Sequence, residues 1–228
     1  MKPRMILILF VAPVLTIACS SPGKKARQEL AAMGIEWSEA SFFRCIRQNR
    51  AEAVRLFLQS GMSANKSEGG YTALLESVRR GYDEISLDLI DARADVNSKD
   101  GFGVTALMFA VICGSPDVIQ GLIEHGADIN TRDVDGRTAL VEALTTENDI
   151  PFATLKSLVD AGADVNVRFQ SGLTPLMVAA GGDPQIVHLL LQAGADMNAS
   201  DDYGATALQR AKDNPENSEI LRAAGAKK

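Results

Sequence analysis

The sequence predicts an all-α solenoid, a stack of helix-turn-helix repeats joined by turn or hairpin loops, and three observations predict it. Thr-Ala-Leu or Thr-Pro-Leu recurs at Thr72, Thr105, Thr138, Thr174 and Thr206, in steps of 33, 33, 36 and 32 residues. An asparagine keeps the same beat at Asn65, Asn97, Asn130, Asn166 and Asn198, in steps of 32, 33, 36 and 32. Between the markers, apolar residues recur at helical spacing, as in Ile119, Leu122 and Ile123. Two independent signals with one period mark a repeat architecture, in which a single unit cannot bury its apolar face and relies on its neighbours.

The elements follow in chain order. Lys2 and Arg4 precede an uncharged run from Met5 to Ala18, long enough for an export-signal core but short of the roughly 20 residues of a membrane-spanning helix. Residues 1–18 are therefore expected to be a signal peptide. Residues 19–25, including Ser20-Ser21-Pro22-Gly23-Lys24-Lys25, have the small, polar composition of a flexible tether. The repeat domain is expected over 26–228, with an N-terminal cap at about 26–65, repeats at about 66–97, 98–130, 131–166 and 167–198, and a C-terminal cap at 199–228.

Within each unit, the threonine precedes an alanine-rich run such as Leu107-Met108-Phe109-Ala110-Val111, so its hydroxyl is placed to accept from the free amides of a first helix. Ser115-Pro116 and Asp183-Pro184 read as starts of second helices, because proline lacks an amide that the first turn leaves unpaired anyway. The unit after Asn130 is three residues longer than its predecessor, and the surplus falls between its helices, around Thr145 to Pro151. Either a specificity loop or plain length variation accounts for it.

Composition bounds the function. With 46% hydrophobic residues, the chain can bury a core. Its formal charge is −6, and −8 once Lys2 and Arg4 are cut away, so nucleic acid is not the expected partner. His125 and His188 are the only histidines, and neither has a cysteine or acid at ligand spacing, so no metal or cofactor is expected. His125 reads as a partner for a helix C-terminus. Cys45 and Cys113 fall two repeats apart, too far for a disulfide, and read as small buried apolar groups. No glycine run resembles a phosphate loop, and no nucleophile, base and orienting group converge, so no enzyme is expected.

The threonine series, the Gly-Ala-Asp-x-Asn runs ending at Asn130, Asn166 and Asn198, and their degenerate copies at Gly61–Asn65 and Ala92–Asn97 resemble ankyrin repeats over about Phe42 to Ala226. Leu30 to Ile35 resembles the half-repeat that caps bacterial ankyrin arrays. The chain departs from the pattern at Gly69-Gly70, where the loop is one residue short, and at Phe169, which replaces the aspartate of Asp100, Asp133 and Asp201. Leu15-Thr16-Ile17-Ala18-Cys19 resembles the lipobox of bacterial lipoproteins, with Thr16 where leucine is usual. An ordinary signal with an incidental cysteine is the alternative.

These resemblances imply a non-enzymatic, monomeric scaffold, anchored by lipid on Cys19 and sorted, by the serine after the cysteine, to the outer membrane facing the periplasm. It would bind an unidentified protein on the concave side, through loop residues Tyr71, Phe102, Val104, Val134, Arg137, Gln170, Leu173 and Tyr203, and through Arg79, Arg80 and Ile112 of the first helices. The partner would be an envelope enzyme that it holds or protects, or a secreted antibacterial toxin that it neutralises as an immunity protein; a mainly structural envelope role is the third reading.

Overall fold

The computed structural model describes residues 21–146, 148 and 150–227, so the signal peptide expected over 1–18 and the lipidation site Cys19 lie outside the described residues. Helix α1 (Pro22–Ala32) leads into six helix pairs: α2 (Glu39–Arg47) with α3 (Ala51–Gln59), α4 (Ala73–Arg79) with α5 (Asp83–Asp91), α6 (Ala106–Cys113) with α7 (Pro116–Glu124), α8 (Ala139–Thr145) with α9 (Phe152–Asp160), α10 (Pro175–Ala179) with α11 (Pro184–Gln192), and α12 (Ala207–Arg210) with α13 (Pro215–Ala223). First helices α2, α4, α6, α8, α10 and α12 pack each on the next, and the second helices form a parallel row beside them. One hydrophobic core runs through the stack from Ala26 to Leu221. The expected all-α solenoid is therefore the observed fold.

The tether expected over 19–25 is corrected from Pro22 onward. Pro22 opens α1, whose Ala26 and Leu30 are buried, and a Cβ on Gly23 would stand only 3.3 Å from the Gln59 carbonyl oxygen at the end of α3. Solvent-loving composition is overridden here by docking onto a neighbouring helix. The half-repeat expected at Leu30 to Ile35 is present: the Ile35 amide donates to the Leu30 carbonyl at 2.9 Å, the same closure that Ala127 makes to Leu122.

The threonines cap as their position demands. Thr72, Thr105, Thr174 and Thr206 accept from the amides of Leu75, Met108, Met177 and Gln209 at 3.2, 3.3, 3.4 and 3.4 Å. Thr138 does not: its hydroxyl is buried without a partner among the described residues. The two kinds of threonine should respond oppositely to an isosteric change. Thr105→Val is expected to cost about 1 kcal/mol, the usual loss of an N-cap, whereas Thr138→Val should be neutral or stabilising, because it removes a hydroxyl that gains nothing from burial. Thermal melts of the two variants check this, and equal losses would show that the Thr138 hydroxyl is satisfied after all.

The asparagines stitch neighbouring units together, which explains why they keep step with the threonines. Asn130 donates from Nδ2 to the Gly162 carbonyl at 3.0 Å and accepts the Asp164 amide at 2.7 Å. Asn97 does the same to Gly126 and Asp128, and Asn166 to Gly194 and Asp196. Asn198 accepts from the Lys227 amide at the C-terminal cap. Each side chain thus fills the orphan backbone groups at the end of the next unit's second helix.

The stack is not uniform. Consecutive second helices pack closely from α1 through α3 and α5 to α7 and again from α9 through α11 to α13, but α7 and α9 do not pack closely on one another. This seam adjoins the inserted segment between α8 and α9. Asn148 of that segment reaches back to donate to the Ile112 carbonyl, near the end of α6, at 2.7 Å.

Candidate protein-binding surface

The loops between units are built around one carboxylate. Asp100 Oδ1 accepts from the amides of Phe102 and Val104, both at 2.9 Å; Asp133 holds Asp135 and Arg137 at 2.9 and 2.8 Å; Asp201 holds Tyr203 and Ala205 at 2.9 and 2.8 Å. With its backbone tied inward, each loop turns its tip residue outward. Phe102, Val134 and Tyr203 are 66%, 71% and 84% exposed. Loop also grips loop. The Val134 amide donates to the Phe102 carbonyl at 3.0 Å, and the Asp202 amide to the Ser171 carbonyl at 3.0 Å. Gly103, at φ 80, allows this approach, since a Cβ there would lie 3.2 Å from Asp133 Cα.

Both expected departures are real. At the short loop, β1 (Ser67–Glu68) and β2 (Tyr71–Thr72) form a hairpin turned by Gly69 and Gly70, both at positive φ. At the other, Phe169 is buried. It packs with Val141, Val167 and Leu173, and the chain above it makes a 3-10 turn over Gln170–Gly172.

The eleven candidate residues divide into two sets. Phe102, Val134, Gln170 and Tyr203 are exposed tips. The other seven are half-buried or tied: Val104 and Leu173 pack against the core, Ile112 is half-buried beneath Asn148, and Arg137 binds Glu142 at 3.3 Å. Tyr71 lies under the Arg79 guanidinium at 4.8 Å, and Arg79 and Arg80 each donate to Glu76 at 2.8 Å. Burial pushes the Glu76 carboxyl up, but the hydrogen bonds from Arg79 and Arg80 together hold it below the usual carboxylate range. Glu76 and Glu142 are not among the residues the sequence singles out, although both stand four residues after a threonine of the Thr-Ala-Leu series, a spacing visible in the sequence.

Cys113 corrects its expected burial. At the last position of α6 it is exposed, while Cys45 is buried. Its thiol, raised by partial burial and then by Asp83, stays protonated and donates to the Val78 carbonyl at 3.4 Å. His125 takes its expected place, with Nδ1 2.8 Å from the Gly121 carbonyl. His188 lines a groove of about 680 Å³ between α9 and α11, with Phe152, Val159 and Leu189, on the second-helix side and away from the tips. Among the described residues no cluster of His, Cys, Asp and Glu is arranged to hold a metal.

Asp201 makes the last loop sensitive to acid. The Arg210 hydrogen bond and then the Ala205 amide lower its carboxyl below the usual aspartate range, against the opposing effect of burial. A depressed folded pKa means the stabilisation is present above the ordinary value and disappears as pH falls through the folded one. Asp201→Asn, which keeps an acceptor for the amides, is expected to flatten the loss of melting temperature below about pH 4, where unperturbed aspartates titrate. Parallel melts from pH 7 to 3 test this; an equally steep fall in the variant would assign the acid sensitivity elsewhere.

A family model for ankyrin repeats in many copies matches residues 89–143, and one for ankyrin repeats in three copies matches residues 145–228. No curated protein matches the chain. Ankyrin arrays are scaffolds for protein–protein interaction, and a row of rigid loops with outward tips is the means. The two matched stretches span more than half of the chain, their helix pairs continue unbroken toward α2, and the chain belongs to the ankyrin-repeat family.

Proposed function

We propose that this chain is a non-enzymatic, monomeric scaffold of a bacterial cell envelope, held by lipid on Cys19 at the outer membrane, facing the periplasm, where it binds one protein partner. The observation that carries the binding half is the row of exposed apolar tips, Phe102, Val134 and Tyr203, on loops whose backbones are already fixed. Little ordering entropy is lost when such a surface docks, and large side chains standing free in water are the residue types that anchor interfaces. The anchoring half rests on the charged start, the uncharged run over 5–18 and the Ala18-Cys19 junction.

One preparation tests both halves. Full-length protein is extracted from membranes and captured with its bound proteins, and its N-terminal peptide is weighed by mass spectrometry. An acylated Cys19 and a stoichiometric protein partner are expected, with Cys19→Ser moving the protein out of the membrane fraction. An unmodified Cys19 would overturn the anchor, and turnover of a substrate by the isolated protein would overturn the scaffold. A partner that is itself a secreted toxin would select immunity over the protection of an envelope enzyme.

A further inference from the structure

Charge is unevenly spread along the stack. Residues 21–60 carry seven Lys and Arg against four Asp and Glu, whereas residues 61–228 carry 14 against 25. A net negative molecule thus has a net positive end. Lys24, Lys25 and Arg27 stand exposed on α1, the outermost helix, and no ion pair engages Lys24 or Arg27 among the described residues. Beside them the Arg27 guanidinium lies 4.2 Å from the centre of the Trp37 ring and donates to the Ser60 carbonyl at 3.3 Å, while the indole N–H donates to Ser60 Oγ at 2.7 Å. Lys24, Arg27 and Ser60, with Ser21 and Gly23, border a recess of about 280 Å³.

Trp37 nevertheless remains 39% exposed, and Met33, just past α1, 38%. A tryptophan whose N–H is already satisfied, presented to water among cations, has the chemistry of side chains that settle at the headgroup level of a bilayer. Position agrees with chemistry. The chain outside the described residues joins the stack one residue before α1, so whatever holds residues 1–20 holds this end.

We propose that the α1 end of the stack is a docking face for anionic lipid headgroups, placed by Lys24, Lys25, Arg27 and Trp37. Attraction at this end and repulsion of the acidic remainder both favour one orientation, with the array standing away from the membrane and its loop tips open to a partner. This deepens the anchored-scaffold reading, yet the contact belongs to the folded body and can be measured without the anchor.

The described core residues run from Ala26 to Leu221, so a chain starting at Ser21 keeps all of them. Trp37 is the sole tryptophan, so its emission reports on this face alone. Such a body is mixed with vesicles of phosphatidylcholine, with or without phosphatidylglycerol. A blue shift and co-sedimentation are expected only with the anionic lipid, falling as salt rises, with at least about tenfold weaker binding for Lys24→Glu/Lys25→Glu. No blue shift on anionic vesicles, equal binding by the charge-reversed variant, or equal binding to single-stranded DNA would each overturn the proposal. The acyl mass on Cys19 is read separately, so an acylated chain whose body ignores anionic vesicles refutes the docking face and leaves the anchor standing.

Discussion

Phe57→Ala is expected to destabilise the protein by about 3–5 kcal/mol, the range for a fully buried phenylalanine whose cavity cannot collapse. Phe57 is completely buried in α3, and its ring lies 5.5 Å from Phe42, which in turn lies 5.7 Å from Phe43, both edge-to-face. The loss should also be directional. In a stack, each unit is stabilised mainly by its neighbours, and the unit at the end has only one full neighbour. Removing Phe57 weakens the attachment of α1 and the pairing of α2 with α3, so amides in these helices should exchange well before those of α8 to α11. Urea titration combined with hydrogen exchange measures both effects. A loss below about 1 kcal/mol, outside the range for such a cavity, would show that the aromatic cluster repacks, and uniform exchange would show that the array unfolds as one unit.

The period was legible because it is enforced by backbone chemistry within a few residues of each marker. Thr105 must cap α6, Asn97 must meet Gly126 and Asp128, and Asp100 must hold its loop, so each leaves a residue type at a fixed place. Phe169 announced its own exception, since a phenylalanine cannot accept the amides that Asp133 accepts. What stayed hidden depends on distances between units. Nothing in Ser21-Pro22-Gly23-Lys24-Lys25 discloses that Gln59 waits to receive it. Thr138-Ala139-Leu140 is spelled like the runs at Thr72, Thr105 and Thr206, yet among the five threonines only Thr138 lacks the cap. Likewise, Cys113 shares an apolar run with buried Val111 but stands past the edge of the core, and helical spacing alone does not tell where that edge falls. The same limit applies to the candidate site: the sequence named the tips, while the ion pairs that restrain Arg79, Arg80 and Arg137 needed the fold.

That division among the candidates sets the decisive binding test. Phe102→Ser and Tyr203→Ser are expected to leave stability within about 0.5 kcal/mol, as surface changes away from caps and core do. Each should weaken the captured partner by about 2 kcal/mol, roughly 30-fold, if it anchors the interface. Arg79→Ala/Arg80→Ala is a poorer probe. It strips both partners from Glu76, whose side chain is only 7% exposed, and leaves an uncompensated carboxylate, so it should lower stability whether or not a partner touches either arginine. Calorimetric titration of the tip variants, alone and together, therefore separates recognition from folding. Unchanged affinity with both tips removed would place the partner elsewhere on the array, with the groove between α9 and α11 the next surface to alter, through Phe152 and Leu189.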